Sequence, residues 1–320
     1  MENQHRTPTE QRSYISGKDT GLVQLKKPIG KVTELRCCNP YIHEQLALLF
    51  GLKPVVYIDC PRHQTDDFYR FIEGFGLKYI IVKNKKSINK DNVEIFIAKT
   101  EKKLRVAESA YRAAYPGGIE WGIGLGYPKC CVEFFYKWTH GLHKIDLPIA
   151  ILNNTPKGRL LPFTTNTVFN YYSRLNTEKR RADHALISKN RNTVFQTYGL
   201  TTWHSCSFTC KKTREFAKTI YEIMLEHMPD YALAQKEYMA NPTLFKDTHD
   251  HIMVKADNIK FLSQGIRVQH KGIIKTPSLV PDEIISKIVL AKAITADKDG
   301  IVKTPSGLED YKLLPFSDKL

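Results

Sequence analysis

The sequence predicts a mixed α/β protein made of a small α/β layer, a helical middle and a β-rich carboxy-terminal region. Three observations support this fold class. Strand-length apolar runs alternate with amphipathic helical segments over residues 31–116, and helix-forming segments follow two cysteine pairs over 117–230. Alternating apolar and polar residues, broken by turns, fill much of 231–320. Residues 1–30 are polar and lack periodicity, so we expect a flexible arm there.

The α/β layer begins with a short helix that Asn39 caps, that Pro40 starts and that Gly51 ends. Next, "PVVYIDC" predicts a buried strand, "TDDFYRFIEGFG" a helix closed by glycines, and "LKYIIVK" a second strand. A third strand over "NVEIFIAKT" and a helix over "EKKLRVAESAYRAAY" complete the layer.

A glycine-rich connector, "PGGIEWGIGLGYPKCC", leads into the helical middle. Its G-x-G-x-G lacks the spacing of a dinucleotide-binding loop, so we do not predict such a fold. After Pro128 the stretch "KCCVEFFYKW" predicts a helix, and "TCKKTREFAKTIYEIMLEHM" predicts a long amphipathic helix that Pro229 ends. The later stretch "IMVKADNIKFLSQGIRVQHKGIIKTPS" alternates in the manner of strands.

The composition and charge of the chain limit the class of protein to which it can belong. Of the 320 residues 42% are hydrophobic and 25% charged, which is typical of a soluble folded protein and excludes disordered and fibrous classes. The chain has no long apolar run and no secretory pattern at its start, so we expect a cytoplasmic protein without a membrane segment. Its formal charge of +15 favours an anionic small molecule or a nucleic acid as partner. The basic segment 176–192 supports the nucleic acid. An anionic substrate near the start of the long helix could instead be bound by four cations: Arg159, Lys211, Lys212 and Arg214.

The seven cysteines are an odd number, which in a reducing compartment favours ligands, nucleophiles or core residues over disulfides. One pair follows a glycine-proline turn, and another lies where a loop enters the long helix, next to a histidine. Thiolates bind soft and borderline metals, and a helix start stabilises their negative charge. We therefore predict a metal site from Cys130, Cys131, Cys206, Cys210 and His204. One of the adjacent cysteines could face the core instead. Cys37 and Cys38 are interpreted as core or loop residues, with the alternative that one of them joins the main site, and Cys60 lies at a strand end where α/β sheets commonly carry ligands.

The leading hypothesis for the metal is an iron-sulfur cluster of the 4Fe-4S type, with zinc as the alternative. A cluster held by three cysteines leaves one iron free for substrate or sulfur, whereas four thiolates around zinc make a closed structural site. Thr213 occupies the position of the third cysteine in a C-x-x-x-C-x-x-C triplet, which disfavours the radical-adenosylmethionine class.

The sequence thus predicts an iron-sulfur enzyme of unknown reaction that acts on substrate or sulfur at the cluster. Glu120 and Glu133 flank the first cysteine pair and are the candidate catalytic acid and base. The first alternative is a zinc-stabilised protein that binds or modifies nucleic acid. The second is a metal-free protein whose cysteines belong to the core.

Two motifs resemble a known family. "LGYPKCCVEFF" and "WHSCSFTC" are similar to the G-Y-P-x-C-C and H-x-C-S-x-x-C segments of a prokaryotic group catalogued as domain of unknown function 483. The resemblance spans about residues 31–230, although only these two motifs match the family closely. It implies a shared metal or iron-sulfur site built from the four cysteines and the histidine already named, and it implies no particular reaction.

Overall fold

A computed structural model of the chain describes residues 22–36, 41–61, 65–82, 92–114, 118–141, 145–168, 199–247, 250–275 and 280–318. The chain divides into two compact units, Met1–Val132 with Lys218–Gln235, and Glu133–Ala217 with Lys236–Leu320. Several predicted features lie outside the described residues: most of the expected arm (1–21), Cys37 and Cys38, Asn39 and Pro40, and the basic segment 176–192. The helix predicted to start at Pro40 begins instead at Ile42, with Tyr41 as its N-cap.

The first unit opens with a hairpin of β1 (Leu22–Ile29) and β2 (Val32–Arg36), followed by α1 (Ile42–Leu49). Strand β1 differs from the expected flexible arm. Val23 and Leu25 point the same way and are buried, whereas Gln24 between them and the following Lys26 and Lys27 are exposed. An alternation with only two apolar residues is too short to predict a strand. The segment forms one because it pairs with β2.

A three-stranded sheet forms the centre of the first unit. Its elements are β3 (Val56–Pro61), α2 (Thr65–Gly74), β4 (Lys78–Val82), β5 (Asn92–Ala98), α3 (Glu101–Ala114) and α4 (Ile119–Gly124). Strand β5 lies between β3 and β4 and is antiparallel to both. Ile95 and Ile97 pack toward α1 and α2, while Phe96 and Ala98 pack toward α3, so β5 is buried on both faces. Helices on both sides of the sheet make the predicted α/β layer.

The helices of the middle region are α5 (Lys129–Gly141), α6 (Leu147–Asn153), α7 (Lys211–His227) and α8 (Pro229–Met239). Helices α5 and α7 confirm the two helices predicted after the cysteine pairs. The boundary between the units falls within both of them and within α8. A helix is one continuous hydrogen-bonded element, so the first turn of α5 continues directly into the rest of that helix.

The second unit contains a six-stranded antiparallel sheet of order β11-β10-β9-β8-β7-β12. Its elements are β7 (Thr243–Asp247), β8 (Asp250–Leu262), β9 (Gly265–Lys275), α9 (Asp282–Leu290), β10 (Ala293–Asp297), β11 (Val302–Thr304) and β12 (Lys312–Leu314). Two short strands, β6 (Leu161–Pro162) and β13 (Phe316–Ser317), pair in parallel. The sheet confirms the β-rich carboxy-terminal region.

The two faces of this sheet are covered differently. One face packs an apolar core against α9, with Ile266 and Val268 of β9 and Ile288 of the helix among its members. On the other face Phe245 and Leu314 pack with residues of the helical middle. The mixed helix and strand fold class is therefore confirmed. Within the described ranges no helix is long and apolar enough to cross a bilayer.

Candidate metal centre

The first cysteine pair lies in the first turn of α5. Backbone amides of Cys131 and Val132 donate to the Pro128 carbonyl at 2.9 and 3.0 Å, which closes that turn. Side chains of a helix tilt toward its amino terminus, so consecutive cysteines in the first turn can both reach past the helix end. Cys131 is buried and Cys130 is exposed.

The second pair frames the loop that enters α7. The Cys210 amide donates to the Ser207 carbonyl at 3.1 Å, and the Cys210 carbonyl accepts from the Arg214 amide at 2.9 Å. Cys210 is thus the residue at which the loop becomes helix, and Cys206 lies one tight turn before it. Both are partly exposed. Free amides at the start of a 17-residue helix favour negative charge, such as that of thiolates.

Two groups of hydrogen bonds hold this loop in shape. Phe208 is completely buried, its amide donates to Thr155 Oγ1 at 3.0 Å, and its carbonyl accepts from Thr165 Oγ1 at 2.7 Å. Thr213 Oγ1 accepts from Trp203 Nε1 and from Ser205 Oγ, both at 3.2 Å. The loop backbone is therefore fixed on both sides of Cys206.

Asn154 bonds directly to the backbone of a cysteine. Its Nδ2 donates to the Cys206 carbonyl at 2.6 Å from the carboxy-terminal end of α6. This contact is independent of the thiol and orients the peptide that carries it.

All four cysteines converge. Among the described residues, Cys130, Cys131, Cys206 and Cys210 form a group whose sulfur atoms all lie within 4.8 Å of one another, and this group could hold a metal ion. The Sγ atoms of Cys130 and Cys131 are 3.9 Å apart. The structure therefore brings together the four cysteines that the two sequence motifs proposed.

Three further residues were predicted for this site, His204, Glu120 and Glu133. His204 is partly buried and its ring stacks on Phe135 of α5, with 5.8 Å between the ring centroids. It is not one of the four residues with converging ligand atoms. Glu133 is partly buried in α5, and Glu120 is exposed in the first turn of α4. A ligand role for the histidine and catalytic roles for the glutamates remain predictions.

The glycine-tyrosine turn before the first cysteine pair packs closely against Pro54. Gly126 has φ +83°, and a Cβ built there would lie 2.5 Å from Pro54 Cδ. Only glycine combines that backbone conformation with so close an approach. The turn therefore fixes where Pro128, and with it helix α5, begins.

A buried cation lies beneath the same turn. Lys53 Nζ is 4.9 Å from the centre of the Tyr127 ring and 3.8 Å from Glu44 Oε1, and the Lys53 side chain is completely buried. Burial lowers the pKa of Lys53 to about 8, although the Glu44 carboxylate opposes that shift. Burial also raises the pKa of Glu44, against the pull of Lys53. The sequence did not predict that Lys53 is buried, because a single lysine before a strand is typical of an exposed residue.

Comparisons of the chain with family models, with curated proteins and with solved structures find no match.

Proposed function

We propose that this protein is a metalloprotein in which Cys130, Cys131, Cys206 and Cys210 hold one tetrahedrally coordinated ion, most simply zinc. The observation that carries this proposal is the mutual spacing of the four sulfur atoms, within 4.8 Å. With zinc–sulfur bonds of about 2.3 Å, the ligands of a tetrahedral site lie about 3.8 Å apart. The Cys130 to Cys131 sulfur distance of 3.9 Å agrees with that edge.

A four-iron cluster suits this spacing less well. Its irons and sulfides lie between the cysteine ligands, which must then stand farther apart than the ligands of a single ion. The sulfur spacing therefore favours the zinc alternative of the sequence analysis over its leading iron-sulfur hypothesis.

Four thiolates complete the coordination of zinc and leave no open position for water or substrate. Such a site contributes stability by linking the start of α5 to the loop before α7. The ligands must be deprotonated to bind, so the metal is released as the pH falls. His204 is then a neighbour of the ligands, stacked on Phe135, and the zinc hypothesis assigns it no bond to the ion.

An iron-sulfur enzyme is the second candidate, and the exposure of Cys130 favours it. If only the other three cysteines held a cluster, solvent access at Cys130 would leave one iron open to a substrate. Glu133, two residues after Cys131, would then be the nearer of the two predicted acid–base residues in the chain. Membership of the domain of unknown function 483 group also stays a proposal, and it is supported by the same cysteine motifs.

Metal and acid-labile sulfide analysis of anaerobically purified protein separates these candidates. We expect one zinc per chain, no sulfide, and loss of the metal in both Cys130→Ser and Cys206→Ser. A brown protein containing iron and sulfide would establish the second candidate, and a metal-free wild type would contradict both.

A further inference from the structure

Part of the six-stranded sheet has a face that is open to solvent. On β9, Arg267 is exposed between the buried residues Ile266 and Val268. Side chains alternate along a strand, so Arg267 points away from the apolar core that its neighbours join. Gln269 is exposed on the same side.

Strand register extends this face across three strands. Arg267 pairs with Lys260 of β8 and with Thr295 of β10, and Gln269 pairs with Asn258 of β8. Directly paired residues in an antiparallel sheet share a face. We call these five residues the open face: Asn258, Lys260, Arg267, Gln269 and Thr295.

The open face places two like charges directly opposite each other, Lys260 and Arg267. Like charges in this arrangement destabilise a sheet. In the described part of the chain neither side chain has an ion pair, because the nearby acids are engaged by other lysines. Asp257 pairs with Lys271 at 2.7 Å, and Asp297 pairs with Lys303 at 3.1 Å. The repulsion between Lys260 and Arg267 lowers the stability of the sheet. An anion bound between the two cations would offset this repulsion.

We propose that the open face binds single-stranded nucleic acid. Lys260 and Arg267 would contact phosphate groups, which supply most of the affinity in such complexes. The adjacent amide pair, Asn258 and Gln269, offers both donors and acceptors, which match base edges and sugar hydroxyls. The overall charge of +15 adds long-range attraction for a polyanion.

The composition of the open face also predicts the kind of binding. None of its five residues is aromatic, so base stacking contributes little there. Affinity then depends on phosphate contacts and falls steeply with salt. This proposal does not rest on the metal centre, since no cysteine belongs to the open face.

The test measures binding of a fluorescein-labelled 20-nucleotide single strand by fluorescence anisotropy, from about 50 to 200 mM salt. We expect Lys260→Ala/Arg267→Ala to weaken binding about tenfold or more, and to reduce the salt slope by about 1.4, the value for two lost phosphate contacts. The matched control Lys102→Ala/Lys103→Ala removes two exposed charges from α3 and should change affinity less than about twofold.

The variant Lys260→Glu distinguishes a loss of binding from misfolding. It converts the repulsive pair into an attractive one, so we expect a higher melting temperature together with weaker binding. A variant that binds poorly because it is misfolded would melt lower instead. Zinc content, measured on the same samples, should stay at the wild-type value, which separates this proposal from the proposed metal site.

Three outcomes would overturn the proposal. These are equal losses in the open-face and α3 variants, no binding by the wild type at about 50 mM salt, and binding of anionic phospholipid vesicles that depends on Lys260 and Arg267 when the oligonucleotide does not bind.

Discussion

The Sγ atoms of Cys130 and Cys131 lie 3.9 Å apart on consecutive residues of one helical turn. In the interior of a helix, neighbouring side chains diverge by about 100°. These two converge because they lie in the first turn, where side chains tilt past the end of the helix. The two residues nevertheless differ, since Cys131 is buried and Cys130 is exposed.

This difference predicts unequal effects of mutation. Each of Cys130→Ser and Cys131→Ser should weaken zinc binding by about 100-fold or more, because serine does not replace a thiolate ligand. Cys131→Ser should also destabilise the metal-free protein by about 1 kcal/mol more, because it buries a hydroxyl. Zinc competition with a chromophoric chelator and urea unfolding measure the two effects. Wild-type affinity in Cys130→Ser would show that three cysteines suffice.

Asn154 offers a test of how the second pair is held. Asn154→Asp removes the donor to the Cys206 carbonyl and should lower zinc affinity about tenfold, since partners of the ligands orient them. The cost in stability should be about 1 kcal/mol. Asn153→Asp is the matched control, since it adds the same charge at the neighbouring exposed position of α6. Equal effects of the two variants would mean that charge, and not the hydrogen bond, is responsible.

Gly126 should tolerate no side chain. Gly126→Ala places a Cβ against the Pro54 ring at positive φ, so we expect a loss of about 2 kcal/mol or more and weaker zinc binding. Gly141→Ala, at the end of α5, meets no atom within 4 Å and should be nearly neutral. Thermal unfolding compares the pair, and a neutral Gly126→Ala would contradict the tight turn before the cysteines.

The buried Lys53 and Glu44 pair predicts a pH dependence of stability. Burial lowers the pKa of Lys53 from 10.5 to about 8 in the folded protein. Between these values the unfolded chain holds a proton that the folded chain has released. The free energy of unfolding therefore rises as the pH increases from about 8 toward 10.5.

Urea unfolding at about pH 7.5 and pH 9.5 checks the sign of this dependence. Lys53→Met should lack the increase seen in the wild type. It should also lose about 3 kcal/mol at neutral pH, because Glu44 is left buried without its cation. Lys53→Met/Glu44→Leu should recover part of that loss. An identical increase with pH in Lys53→Met would assign the titration to another group.

Local pattern predicted most of the first unit. The strands predicted at "PVVYIDC", "LKYIIVK" and "NVEIFIAKT" are β3, β4 and β5. The helix predicted between the first two strands is α2, and the helix predicted after the third is α3. Helix α9 was missed, because "DEIISKIVL" is rich in the β-branched residues that favour strands. Its acidic first turn after Pro281 and its packing on the sheet override that preference.

The sequence by itself determined the fold class and the two cysteine motifs, because periodicity, turn residues and thiol chemistry are local properties. Only the tertiary structure decided that all four sulfurs lie within 4.8 Å of one another, close enough to hold a metal ion together. It also decided that Lys53 is buried beneath Tyr127, and that Lys260 faces Arg267. These relationships depend on packing and strand register between residues that are distant along the chain, which no local pattern encodes.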